Sequence, residues 1–140
     1  MIVVDTNILS YLMLPTAQAS LAEAVWNKDS TWVSPMLIHS EFRNVVLGAV
    51  RRQDIQQEDA LAMLDQALEV VDVPVDVVDG QGVLRLALES GCSAYDCEFV
   101  WLARAINVPL VTADRRVLES FAGIAVSMET FLDTGAGPRA

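Results

Sequence analysis

Short runs of β-branched and apolar residues alternate along the chain with longer segments of helical periodicity. The runs predict five buried strands, at residues 2–4, 31–33, 70–73, 109–112 and 124–126. Between them, apolar residues recur every three or four positions, as in Leu61, Leu64 and Leu68, in Val83 and Ala87, and in Phe99, Ala103 and Ile106. Gly91 and Gly123 follow such segments and predict helix ends.

This alternation of strands and helices defines the expected fold class. Strands separated by helices favour a mainly parallel central sheet flanked by helices on both faces, an α/β sandwich. The 140 residues suit one domain, which we place at residues 1–133. Residues 134–140 are small and turn-prone, so we expect a flexible C-terminal tail there.

Composition narrows the class of protein. Hydrophobic residues make up 53% of the chain and charged residues 20%, which is enough to build a core and excludes intrinsic disorder. Nineteen acidic residues against nine basic ones give a net charge of -10. A general nucleic-acid coat needs the opposite sign, because lysine and arginine neutralise phosphates. Any contact with nucleic acid is therefore local or carried by bound cations.

Cysteine use and the N-terminus point to a cytoplasmic protein. Cys92 and Cys97 cannot form a disulfide framework, and their spacing is not a zinc pattern, so we expect reduced structural thiols. The start of the chain has no basic segment, and Asp5 interrupts its apolar run, which argues against a signal peptide. No apolar run approaches the ~20 residues that a membrane-spanning helix needs.

Two of the predicted strands run directly into an aspartate. Asp5 follows residues 2–4, and Asp114 follows residues 109–112. Ligands of an open parallel sheet bind just beyond the carboxyl ends of its strands, so both residues are candidates for a site. Each could equally be a helix N-cap or turn residue. Asn7 and Thr112 add polar oxygens at the same edge, with ordinary turn roles as their alternative.

Two further acids lie on predicted helices. Glu41 shares an apolar helical stripe with Leu37 and Val45, where an unpaired carboxylate is costly to bury. Its structural alternative is an ion pair with Arg43 or another cation. Asp96 lies in the first turn of a strongly helical segment, where a favourable interaction with the helix dipole would also explain it.

Together the four acids predict a cation site. Asp5, Glu41, Asp96 and Asp114 would converge at the carboxyl edge of the sheet, where like charges repel unless a cation neutralises them. Oxygen ligands select Mg²⁺ or Mn²⁺ rather than zinc. His39 is the only histidine, so no Ser-His-Asp triad has obvious partners, and we interpret His39 as structural.

The chain resembles a known family, the PIN-domain ribonucleases of the VapC toxin type. The resemblance is carried by four segments in the family's order: 3–8 (VVDTNI), 40–44 (SEFRN), 93–97 (SAYDC) with Leu102-Ala103, and 110–116 (LVTADRR). It covers roughly residues 1–133. Cys97 stands where an alanine is more usual.

The resemblance implies a fold, an activity and a site. It implies a PIN-like three-layer sandwich and a metal-dependent endoribonuclease that hydrolyses RNA phosphodiester bonds. Asp5, Glu41, Asp96 and Asp114 would be the catalytic residues that hold Mg²⁺ or Mn²⁺. Asn7 and Thr112 would be accessory residues that orient carboxylates or a metal-bound water. It also implies a cognate antitoxin that neutralises the toxin.

Basic and apolar residues suggest how substrate and partners bind. Five arginines near the acids form a candidate rim for RNA phosphates: Arg43, Arg51, Arg52, Arg115 and Arg116. Ion pairing with the surplus acids is their alternative role. The acidic body suits an antitoxin segment that bears arginine. Apolar residues on several sides of the helices carrying Glu41 and Leu61 favour a homodimer or antitoxin docking.

Other classes of protein fit this sequence less well. A phosphatase of the haloacid-dehalogenase kind needs a second aspartate where Asn7 stands, and both it and a receiver domain need a lysine that residues 105–130 lack. A Rossmann domain would carry a glycine fingerprint that is missing here. The alternatives are a non-catalytic interaction module with the same fold and another Mg²⁺-dependent phosphoryl-transfer protein, and metal binding without cleavage would favour the interaction module.

Overall fold

The computed structural model describes residues 1–74 and 78–134, so residues 135–140 of the predicted tail lie outside the described residues. The strands are β1 (Ile2–Val4), β2 (Trp32–Val33), β3 (Val71–Asp72), β4 (Leu110–Val111) and β5 (Ala125–Val126). The helices are α1 (Thr6–Met13), α2 (Ala19–Lys28), α3 (Leu37–Arg51), α4 (Gln57–Val70), α5 (Gly80–Ser90), α6 (Ala94–Ala105), α7 (Arg115–Ser120) and α8 (Met128–Asp133).

The strands form one sheet in the order β3-β2-β1-β4-β5, and every pairing is parallel. All five predicted strands are confirmed. The chain leaves β1 toward β2 on one side and later returns to β4 on the other. The order therefore reverses between β1 and β4, which is where open α/β sheets bind their ligands.

The two central strands are covered on both faces. Ile2, Val3 and Val4 of β1 and Leu110 and Val111 of β4 are fully buried. Successive side chains of a strand point to opposite faces, so full burial of consecutive residues requires cover on each side. Helix α1 packs against β1, and α6 packs against β1 and β4. The predicted sandwich, a central sheet flanked by helices, is confirmed.

Helix α4 shows where the apolar pattern and the core differ. The spacing of Leu61, Leu64 and Leu68 correctly predicts a helix, but Leu61 and Leu68 are each 60% exposed. The buried residues of α4 are Ala60 and Ala67. Leu64 is half-buried against the core, and the other two leucines are left at the surface.

The two glycines predicted to end helices behave differently. Gly91 is the C-cap of α5 with a φ of 76°, a left-handed conformation that glycine adopts without steric cost. Helix α7 ends earlier than predicted, at Ser120, and Gly123 lies in the turn before β5. The α7 prediction was therefore wrong by a few residues.

Other predictions from composition can be compared with the structure. Cys92 and Cys97 are both buried and free of disulfides, which agrees with structural thiols. Across residues 1–74 and 78–134, no helix is both long enough and apolar enough to span a bilayer.

We expect Gly91→Ala to lower the free energy of unfolding by about 1–2 kcal/mol, because a Cβ disfavours the left-handed conformation. Space is not the cause, since the nearest atom to that Cβ, an Arg116 guanidinium nitrogen, would be 3.9 Å away. Gly123→Ala is the matched control, as its added Cβ meets nothing within 4 Å and its φ is not positive. Urea unfolding measures both, and equal losses would contradict the backbone explanation.

Candidate active site

The candidate site lies at the carboxyl ends of β1 and β4, at the switch point of the sheet. Val4 and Val111 are register partners, so Asp5 and Thr112 follow them side by side. The Asp5 amide donates to the Val111 carbonyl at 3.0 Å, which extends the ladder to the site itself. The parallel pairing therefore juxtaposes two segments more than a hundred positions apart.

Asp5 is a buried carboxylate with fixed orientation. Its side chain is held by two donors, the Thr6 amide at 2.8 Å to Oδ1 and the Thr112 hydroxyl at 2.7 Å to Oδ2. Burial raises the pKa of Asp5 to about 6, and the nearby charges of Asp96 and Glu41 add to the rise, while both hydrogen bonds oppose it. The fold thus holds a carboxylate where ionisation is unfavourable.

Glu41 reaches this edge from α3. The Thr6 hydroxyl at the start of α1 donates to Glu41 Oε1 at 2.7 Å. Glu41 thus lies beside Asp5, the residue before Thr6. The alternative for Glu41, an ion pair with Arg43, does not occur among the ion pairs of the described residues.

Asp96 and Asp114 complete the row of acids. Asp96 lies in the first turn of α6. The Ser93 hydroxyl caps this helix by accepting a hydrogen bond from the Asp96 amide at 3.0 Å. The pKa of Asp96 is raised by burial and by the charge of Asp114, and Arg116 lowers it. Asp114 itself caps α7, accepting from the Arg116 amide at 2.9 Å and the Val117 amide at 3.3 Å.

The four predicted acids therefore lie close enough to perturb one another. Their oxygens are donors that Mg²⁺ and Mn²⁺ prefer, and each Asp5 oxygen keeps a lone pair beyond its hydrogen bond. A cation would offset the repulsion that raises the pKa of Asp5 and of Asp96. Among the described residues, no three His, Cys, Asp or Glu side chains converge tightly enough to hold an ion. The fit to a divalent cation thus rests on donor chemistry and charge.

The two predicted accessory residues tie the β1 and β4 ends together. The Thr112 hydroxyl, fully buried, donates to Asp5 and accepts the Asp114 amide at 3.0 Å. The Asn7 side-chain oxygen accepts the Ala113 amide at 3.2 Å. Thr112 therefore links the Asp5 carboxylate to the backbone of Asp114, and Asn7 braces the loop between β4 and α7.

The arginines of the predicted rim do not all lie beside the acids. Arg116 lies near enough to Asp96 to lower its pKa, and its neighbour Arg115 is exposed at the start of α7. Arg43 lines the groove between α3 and α4, because two helical residues place it about 200° around α3 from Glu41. Arg52 pairs with Asp54 at 3.1 Å, the alternative role considered for it.

Two further polar residues at this edge were not assigned a role from the sequence, although Thr6 was expected to add a polar oxygen there. Thr6 anchors Glu41 through its hydroxyl, and its position next to Asp5 was the available signal. Glu98 is a fifth acid, whose pKa is raised by burial and by the charge of Glu41. Its sequence signal was an acid among apolar residues of α6, two positions after Asp96.

The comparisons with known proteins agree with this fold. Residues 2–124 match the model of the PIN domain family, and the chain belongs to that family. It is 28% identical to Ribonuclease VapC3 from Pyrobaculum aerophilum over 124 residues, which is 86% of this chain and 94% of that protein. The resemblance drawn from the four sequence segments is confirmed.

Solved structures share the fold. The crystal structure of PAE2754 from Pyrobaculum aerophilum superposes with a TM-score of 0.74 at 25% identity, covering 94% of this chain and 92% of that one. VapBC2 from Rickettsia felis, bound to a promoter DNA fragment, gives a TM-score of 0.64 at 18% identity, over 91% and 98%. VapC20 from Mycobacterium tuberculosis, a toxin that cleaves the sarcin-ricin loop, gives 0.56 at 20%, over 76% and 84%.

We expect Asp5→Asn to stabilise the metal-free protein above pH 6. The folded pKa of Asp5, about 6, exceeds the unfolded value of 3.8, so the folded state binds the extra proton between these values. The contribution of Asp5 to stability therefore falls as pH rises from about 4 to 6. At pH 7 the variant should gain up to about 3 kcal/mol, and near pH 4 the gain should vanish.

Urea unfolding in chelator across this pH range checks that difference. Asp133→Asn, an exposed aspartate at the end of α8, is the control and should show no such pH-dependent gain. Adding Mg²⁺ at neutral pH should raise the melting temperature of the natural chain more than that of Asp5→Asn. A variant no more stable than the natural chain at any pH would contradict the role of burial.

Proposed function

We propose that this chain is a divalent-metal-dependent endoribonuclease and the toxin of a toxin–antitoxin pair in the cytoplasm. The observation that carries the proposal is the buried Asp5 carboxylate held beside Asp96 and Glu41 at the switch point. A purely structural role would not require these acids to lie close together, where burial and neighbouring charges disfavour their ionisation. The names of two relatives, Ribonuclease VapC3 and the sarcin-ricin-loop-cleaving toxin VapC20, support RNA as the substrate.

The proposed catalytic machinery is the four carboxylates and the residues that orient them. Asp5, Glu41, Asp96 and Asp114 would hold Mg²⁺ or Mn²⁺. Such a cation, when bound, lowers the pKa of water and stabilises the charge that builds on the phosphate and the leaving oxygen. Thr112 fixes the Asp5 and Asp114 segments relative to each other, and Thr6 orients Glu41.

The proposed substrate contacts come from the start of α7. Arg115 and Arg116 are exposed, and within the described ranges neither forms an ion pair. Guanidinium groups beside the acids can bind phosphates next to the cut bond. Arg43 lies over the groove between α3 and α4 and would meet only a strand that also covers that groove.

The partners we propose are a cognate antitoxin and a second copy of the chain. An apolar groove of about 290 Å³ separates α3 from α4, lined mainly by Val46, Leu47, Val50, Ala60, Leu61 and Leu64. Exposed leucines on its rim favour a covered interface. The acidic edge suits an antitoxin segment that bears arginine. A tight complex whose partner places no basic residue there would refute that last point.

We expect Asp96→Asn to reduce RNA cleavage by about 100-fold or more, since it removes a proposed metal ligand without removing its helix cap. End-labelled transfer RNA and a single-stranded RNA, incubated with Mg²⁺, Mn²⁺ or chelator, measure this. Asp133→Asn is the matched control and should cleave normally. Full activity in Asp96→Asn would exclude its role, and metal binding with no cleavage of any RNA would favour a non-catalytic module.

We expect the isolated chain to be a dimer that Leu61→Lys converts to a monomer, because Arg43 lines the same α3–α4 groove and a second positive charge there cannot be buried unpaired. Light scattering coupled to size-exclusion chromatography measures the mass. Leu88→Lys, on a leucine of α5 that is 77% exposed, is the control and should stay dimeric. Dissociation by Leu88→Lys alone would move the interface to α5.

A further inference from the structure

A second cavity lies away from the acidic edge, between α5 and α6. It has a volume of about 450 Å³. Its walls include Gly82, Arg85 and Glu89 of α5 and Trp101, Arg104 and Ala105 of α6. On each helix these residues are spaced three or four positions apart, so two facing stripes build one groove. The volume falls within the range of small-molecule sites.

The tryptophan in this cavity is placed by a glycine. A Cβ added at Gly82 would lie 2.6 Å from Trp101 Nε1 and 3.0 Å from its Cδ1. Only a residue without a side chain therefore lets the indole lie against the α5 backbone. Trp101 stays half-buried, and its Nε1 makes no hydrogen bond to the part of the chain that the structure describes. The ring thus presents an aromatic surface and a free donor to the cavity.

Two arginines flank the indole. Arg85 and Arg104 are exposed, and neither forms an ion pair within residues 1–74 and 78–134. This is notable in a chain with 19 acidic and 9 basic residues, where nearby carboxylates are plentiful. Glu89 on the same wall is an acceptor for a hydroxyl or amino group. Guanidinium groups recognise phosphate through paired hydrogen bonds, and aromatic rings stack on nucleobases.

We propose that this cavity binds a nucleoside phosphate, with the base against Trp101 and the phosphate between Arg85 and Arg104. Asp96 and Arg104 are eight residues apart on α6, or about 12 Å along the helix axis. An RNA strand at the acidic edge could therefore extend to the cavity within a few nucleotides. RNA as the source of the nucleotide rests on the proposed function, whereas the nucleotide site itself does not.

Binding of adenosine monophosphate tests the site without any cleavage. The probe is titrated into Asp96→Asn protein while the indole N–H resonance of Trp101, assigned with Trp101→Phe, is followed by NMR. We expect that resonance to shift, and Arg85→Ala and Arg104→Ala each to weaken binding about tenfold. Gly82→Ala should weaken it too, because the indole must move. An unmoved resonance at millimolar nucleotide, or inorganic phosphate binding as tightly, would overturn the proposal.

A charge-matched control separates local contact from net charge. Ser20→Glu on α2 lowers the net charge by one, as Arg104→Ala does, on an exposed residue outside the cavity. It should leave nucleotide binding unchanged, and an equal loss would overturn the assignment to these arginines.

A further experiment compares RNA cleavage by the natural chain with RNA cleavage by the same chain carrying Arg104→Ala. We expect a higher KM with kcat unchanged, since Arg104 lies far from the acids. Unaltered RNA kinetics in Arg104→Ala, when the same variant binds the nucleotide more weakly, would reject RNA as the source of the nucleotide. Nucleotide binding in a chain that cleaves no RNA would leave the site standing while the proposed function fails.

Discussion

The burial of the Asp5 carboxylate beside other acids, at the end of the central strand, is the constraint on which this structure depends. β1 is buried on both faces, and Asp5 extends it into a region where Glu41 and Asp96 add negative charge. Such a residue destabilises the folded chain unless a proton or a cation neutralises it. The burial of the central strands offsets the destabilisation caused by the acids at this edge.

The structural roles and the proposed functional roles are compatible at this edge. Asp5 and Asp114 are both helix N-caps, at the starts of α1 and α7, and their carboxylates also lie in the acidic row. A capping role for these residues therefore does not argue against the proposed metal site. Capping holds each carboxylate in one orientation, because backbone amides fix its oxygens. An N-cap residue that directly follows a parallel strand therefore holds its charged group in a fixed orientation at the switch point.

The surface divides into three regions of different chemistry. The carboxyl edge of the sheet is acidic, the groove between α3 and α4 is apolar, and the cavity between α5 and α6 combines an indole with two arginines. Arg43 lies over the apolar groove, away from the acids. This separation is compatible with the proposal that a strongly acidic chain binds an anionic polymer, with cations at the acidic edge and a few arginines acting locally.

The sequence by itself determined the five strands and the α/β class, because buried strands need continuous apolar runs. It also singled out the four acids as candidates, because each of them follows a local signal. It did not determine which helix faces were buried: Leu61 and Leu68 of α4 lie outward, whereas Ala60 and Ala67 face inward. Nor did it show that Thr6 anchors Glu41 or that Glu98 joins the acids. Those contacts join segments distant in sequence, so only the parallel register and the helix packing decide them.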